Sequence, residues 1–160
     1  MDWITSLFNG TFLALLGAAL AMGCAGMGSA KGVGIAAEAA TGVLAEDPNK
    51  FVLTLILQAL PSTQGIYGFV VAFLIMNNIG LFAGEVYLTV PQGFFYLAAA
   101  LPIAIAGYHS AVAQGRASAA AMQVVAKRPD QFVKGMLYSA MVETFAVLAL
   151  LISIMMLINI

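Results

Sequence analysis

Four stretches of this chain are too long and too apolar to fold in water. Residues 3–30, 51–84 and 86–115 contain no Asp, Glu, Lys or Arg, and residues 135–160 contain one such residue, Glu143. Each exceeds the roughly 20 residues a helix needs to cross a bilayer. Hydrocarbon offers backbone polar groups no partner, so a lipid-facing segment must satisfy its own, and helices do this. Charged residues make up only 8% of the 160 positions, against about 25% in soluble domains. The expectation is an all-α membrane protein with four transmembrane helices.

The six basic residues are Lys31, Lys50, Arg116, Lys127, Arg128 and Lys134. All are assigned to the neighbourhood of two connections, "EDPNK" (46–50) and "KRPDQFVK" (127–134), and to the cytoplasmic ends of the helices. The positive-inside rule then puts both connections in the cytoplasm and the termini and the 77–92 loop outside, in the cell membrane. Asp2 and Glu85 suit the outer side, and Trp3, Tyr87 and Tyr96 are expected as interfacial anchors. The acidic start "MDWITS" lacks the Lys or Arg of a secretory leader, so the first apolar run is read as a span. A net charge of −1 gives no basic surface for nucleic acid. The single Cys24 is read as a small buried residue, and His109 as a satisfied interhelical polar group.

Proline and charge divide the chain into helices over about 9–45, 51–78, 92–127 and 132–159. A shift of 81 positions superimposes the halves: Ser29/Ser110, Gly34/Gly115, Val43/Val124, Pro48/Pro129 and Phe51/Phe132 are identical pairs. The chain therefore reads as two tandem duplicated helical hairpins, 1–80 and 81–160. Two helices per copy give both copies the same orientation, as in parallel repeats. Gly and Ala surround the first and third helices, "GSAKG" (28–32) among them, while the second and fourth carry Phe, Leu, Ile and Met. Small residues permit close backbone approach. A crowded inner layer wrapped by a bulky outer one suits a homo-oligomeric ring.

Glu143 lies deep in the fourth apolar run. A charged carboxylate there costs several kcal/mol unless it pairs, takes a proton or binds a cation. With the basic residues assigned to the helix ends, an ion pair is not expected. The second helix offers "LPSTQGIY" (60–67), where Leu60, Thr63, Gln64 and Tyr67 share one face at i, i+3, i+4, i+7. Pro61 disturbs the turn before it and frees a carbonyl for a ligand. Gln114 is a further polar residue inside an apolar helix. Neutral oxygens with one carboxylate suit a hard monovalent cation, Na+. A protonated Glu143 bonded to Gln64 or Tyr67 would also be satisfied, and Thr63, Gln64 and Gln114 could instead be interhelical glue.

Four segments, "GSAKGVG" (28–34), "LPSTQGIYGF" (60–69), "AQG" (113–115) and "MVETFA" (141–146), carry a resemblance over nearly the whole chain. It resembles the proteolipid (c or K) subunit of bacterial V-type, or A/V-type, rotary ATPases, particularly the sodium-translocating kind. The resemblance implies a ring of identical subunits in membrane lipid, turning against a stator subunit with an arginine and half-channels, and joined to central-stalk subunits. It implies that Glu143 carries the ion, with the Leu60 carbonyl, Thr63, Gln64, Gln114 and Glu143 as Na+ ligands and Tyr67 supporting the carboxylate. Ser62 stands opposite Glu143 in the repeat, so the first hairpin has no ion-carrying carboxylate, implying fewer ions per ATP.

The same rotor coupled to H+ is the alternative, and a small secondary transporter a remote one. Catalysis within the chain is not expected: "GSAKGVG" lacks the spacing of a phosphate-binding loop, and no nucleophile with a base is present. Glu38, Glu46 and Asp47 are read as solvated or as stalk contacts.

Overall fold

The computed structural model describes residues 9–84 and 86–159, so the expectations placed on Asp2, Trp3 and Glu85 lie outside the described residues. Among those described, five α-helices form four spans. Helix α1 (Gly10–Glu46) is the first span; α2 (Phe51–Ala59), a 3₁₀ turn (Leu60–Ser62) and α3 (Thr63–Asn78) form the second; α4 (Val90–Lys127) is the third; α5 (Phe132–Ile158) is the fourth. All four are long and apolar enough to cross a membrane. The observed limits fall within two residues of those expected. The largest difference is at α4, which starts at Val90 because Gln92 reaches back to the Thr89 backbone N–H (3.0 Å), as a capping glutamine does. Asn9 caps α1 by accepting from Phe12 N–H (2.8 Å).

The duplication is visible in backbone geometry. Asp47 and Arg128, one repeat apart, take similar non-helical backbone angles (φ −146°, ψ 97° and φ −139°, ψ 78°). Their N–H groups bond the carbonyls of Val43 and Val124. Each is followed by a 3₁₀ turn that opens with proline, Pro48–Lys50 and Pro129–Gln131. These two connections share one end of the molecule, since Lys50 Nζ donates to the Ala126 carbonyl at the end of α4 (2.7 Å). A cation suits a helix C-terminus, where carbonyls lack partners. The same ammonium lies 3.4 Å from Asp47, whose carboxyl is held below its ordinary range chiefly by the Asn49 backbone N–H. At the opposite end Gly80 and Gly84 take left-handed φ values of 74° and 79°, which glycine adopts freely, in the connection from α3 to α4.

Helices α1 and α4 pack backbone to backbone. A Cβ on Gly115 would lie 2.3 Å from the Gly32 carbonyl oxygen, and one on Gly32 would lie 2.3 Å from that of Ala111. Gly28 against Tyr108, and Gly10 against Gly93, repeat the pattern along the pair. Only glycine fits, and the sequence supplies it. Phe69 and Phe73 on α3, with Phe145, Leu148 and Ile152 on α5, are exposed, as lipid-facing or subunit-facing groups should be. Inside, one apolar cluster gathers around Ala18, Val71, Ile75, Tyr96 and Ile103. Another gathers around Ala36, Leu57, Met122 and Val125. Gln64, Ser110, Gln114, Ser118 and Ser139 form the buried polar level of the core.

Several expectations are corrected. Tyr96 is buried in the core, because its position on α4 faces α1; it is not an interfacial anchor. Cys24 is only half-buried. His109 is exposed, with its ring edge-on to Tyr108 at 5.3 Å between centroids, so it is not an interhelical link. Lys31 and Arg116 are not at the helix ends. They precede α1's and α4's last residues by about 22 and 16 Å of helix rise, beside Gly32 and Gly115 and level with Pro61.

The close approach generates a prediction. Gly115→Ala should destabilise the detergent-solubilised protein by about 1–3 kcal/mol, the usual effect of overpacking, seen as a lower thermal midpoint. Gly42→Ala, whose added methyl meets nothing within 4 Å, should leave that midpoint unchanged.

Candidate functional site

Pro61 decides the local shape of the second span. Around it the helix tightens into the 3₁₀ turn Leu60–Ser62, and the Leu60 carbonyl accepts from both the backbone N–H and the hydroxyl of Thr63 (3.1 Å to the hydroxyl). The expected sideways carbonyl is therefore engaged with the threonine next in line. One turn further, Gly65 N–H donates to Ser29 Oγ on α1 (2.8 Å), a bond that pins the altered turn to the inner helix.

From that turn a continuous chain of hydrogen bonds crosses the core. Thr63 Oγ1 lies 3.3 Å from Gln64 Oε1, so its one hydrogen is shared between that oxygen and the Leu60 carbonyl. Gln64 Nε2 donates to Gln114 Oε1 (2.6 Å) and to Ser110 Oγ (3.2 Å). Gln114 Nε2 donates to Glu143 Oε2 (3.2 Å). On the other carboxylate oxygen, Tyr67 donates from 2.5 Å. Gln64 and Gln114 are fully buried, whereas Glu143 is half-buried, with Ala140, Thr144, Val147 and Leu148 lining a 380 Å³ hollow beside it.

The structure thus brings together all six positions singled out in the sequence: Leu60, Thr63, Gln64, Tyr67, Gln114 and Glu143. Three different spans deliver them. Among the described residues no basic group pairs with Glu143, and the ion pair present is Lys50 with Asp47. The expected reason was depth, but the observed reason is direction. Lys31 and Arg116 lie near the level of the site, and both are exposed on the outer faces of α1 and α4.

Sequence reasoning missed the serines. Ser110 donates to the Val142 carbonyl (3.0 Å), and Ser118 and Ser139 bond each other across α4 and α5 (2.7 Å). The identity of Ser29 and Ser110 across the repeat was the available signal. Ser62, opposite Glu143 in the repeat, is exposed and turns its hydroxyl back onto the Ala59 carbonyl (2.6 Å). Thr144, the counterpart of Thr63, likewise bonds the carbonyl three residues earlier (2.8 Å).

Fold and site together define a multi-pass membrane protein of two fused helical hairpins with one half-buried carboxylate held by neutral donors. Comparison with known proteins gives this class a family. The model of the ATP synthase C-subunit family matches residues 16–75 and again 97–156, two segments offset by the same 81 residues. The chain is 45% identical over 159 residues to the V-type sodium ATPase subunit K of Enterococcus hirae, covering 99% of each protein. It is 46% identical over 149 residues to the A-type ATP synthase subunit K of Methanocaldococcus jannaschii, covering 92% of this chain and 63% of that one. The chain belongs to the ATP synthase C-subunit family.

Tyr67→Phe removes one of the two donors on Glu143. A hydrogen bond to a charged carboxylate contributes about 1.5–3 kcal/mol and a hydrophobic carbodiimide attacks the protonated form, so Glu143 in this variant should react about tenfold or more faster than in the unaltered protein. Mass spectrometry of the labelled chain measures this.

Proposed function

We propose that the chain is the rotor-ring subunit of a V-type sodium ATPase, in which Glu143 carries Na+ across the membrane during ATP-driven rotation. The observation that carries this reading is a half-buried carboxylate within a membrane-spanning helix, bonded by Tyr67 and Gln114 with no basic partner among the described residues. Such a group needs a small cation or a proton to become neutral in lipid. The Leu60 carbonyl, Thr63, Gln64 and Gln114 supply neutral oxygens in one connected network, and the name of the Enterococcus hirae relative specifies sodium. Tyr67 steadies the carboxylate.

In this reading the ion-loaded site is neutral and crosses the lipid-facing arc, while the empty, charged site stays beside a stator arginine and its half-channels. ATP is hydrolysed in other subunits. Residues 1–80 form a hairpin without an ion-carrying carboxylate and residues 81–160 one that carries Glu143, so four spans serve one ion. Moving a charge against 100 mV requires about 2.3 kcal/mol, and fewer ions per ATP allow a steeper gradient. The exposed apolar faces of α3 and α5 would meet lipid and neighbouring copies. The connections 46–50 and 127–134 would face the cytoplasm and the central stalk, with the termini and the 77–92 loop outside. Lys50, Lys127, Arg128 and Lys134 support that orientation.

Sodium at neutral pH should slow carbodiimide labelling of Glu143 in the assembled protein, and Glu143→Gln should abolish both labelling and ATP-driven sodium uptake into vesicles. Labelling indifferent to sodium would leave the proton as cargo. Native mass measurement should give a large ring; a monomer or dimer would exclude a rotor.

A further inference from the structure

The two glutamine side chains of the site are useful to a cation only if their oxygens face it, yet an amide rotated by half a turn presents NH₂ instead. What fixes the rotation is on the chain of bonds itself. Its two ends are acceptors when Glu143 is ionised: the Glu143 carboxylate and the Val142 backbone carbonyl. At the first end Glu143 accepts a hydrogen bond from Gln114 Nε2 (3.2 Å), which turns Gln114 Oε1 toward Gln64. At the second, Ser110 gives its one hydroxyl proton to Val142 (3.0 Å). Its oxygen is then left to accept, and Gln64 Nε2 supplies the donor (3.2 Å). Gln64 Oε1 is thereby directed to the side of Thr63 and the Leu60 carbonyl.

The ends differ in one respect. The demand of Glu143 changes each time the ion or a proton is exchanged, because a protonated carboxyl can donate as well as accept. The demand of the Val142 carbonyl never changes. Without Ser110, Gln64 Nε2 would lose one of its two acceptors. A rotated amide would then find new acceptors in the Leu60 carbonyl and the Thr63 hydroxyl, with NH₂ standing where the cation should be.

Building on the ion-carrying role proposed above, we infer that Ser110 is the positioning residue of the site: it touches no ion, but fixes the amide of Gln64 with its oxygen toward the cation throughout the exchange cycle. Ser110 is buried, 6% exposed, and is joined to both Gln64 on α3 and the carbonyl next to Glu143 on α5.

The test is sodium protection of Glu143 against carbodiimide in intact rings. Loss of a partner that orients a ligand weakens metal affinity by about 10–100-fold, so Ser110→Ala should raise the sodium concentration for half-protection by about tenfold or more. The sodium-free labelling rate and the ring mass should stay as in the unaltered protein, and Ser110→Thr, which keeps the hydroxyl, should restore protection. Should Ser110→Ala not assemble, Ser110→Cys fills the same space with a poor hydrogen-bonding group, and the same shift is expected. Unaltered half-protection in Ser110→Ala or Ser110→Cys would overturn the inference while leaving the sodium reading standing. So would a shift matched by faster sodium-free labelling, since that is what a loosened α5 alone would give. If the unaltered ring is itself not protected by sodium, the ion reading fails and this inference fails with it, a result distinct from either of the others.

Discussion

A carboxylate in the hydrocarbon layer has to be supplied with donors by its own protein, and the whole arrangement of spans answers that requirement. Glu143 receives one hydrogen bond from Tyr67 on α3 and one from Gln114 on α4, so two other spans must hold their side chains within reach of the fourth. They are held there because α1 and α4 touch through glycines, which draws the inner pair together and lets the outer spans pack against it. Apolar clusters formed from these same spans add the packing around the polar level. Remove the donors and the acid must be discharged permanently; separate the inner helices and the donors no longer converge.

Direction matters as much as proximity. Two cations near the level of the acid would neutralise it if they pointed inward. Lys31 and Arg116 point outward instead. The acid is left among amides and a phenol, groups that can stabilise its charge without cancelling it. Hydrogen bonds of this kind favour the charged form of a carboxyl without neutralising it.

Much of this was legible in the sequence because its signals are local. Four apolar runs fixed the spans, a constant 81-residue offset exposed the duplication, and the i, i+3, i+4, i+7 spacing put Leu60, Thr63, Gln64 and Tyr67 on one face. The depth of Lys31 and Arg116 was misread because charge was used as a marker of helix ends, and small-residue packing at Gly32 and Gly115 lets a charge sit far from them. Tyr96 was misread because amphipathic rings are commonly interfacial, whereas here the inner helix face buries it. The serines went unrecognised because, apart from the repeat identity of Ser29 and Ser110, nothing local marks them; their partners lie on other spans, and only three dimensions reveal them.

Ser29 and Ser110 descend from one ancestral position, yet their hydroxyls work in opposite senses. The first accepts a hydrogen bond from the main chain at Gly65 (2.8 Å); the second donates one to the main chain at Val142 (3.0 Å). Two identical hairpins meeting as separate molecules could not keep these assignments apart, since any change suited to one would appear in both. Covalent fusion removed that symmetry and left the carboxylate in one copy alone, Glu143 standing opposite Ser62. A single hairpin expressed alone, from either half, is therefore no substitute for the pair.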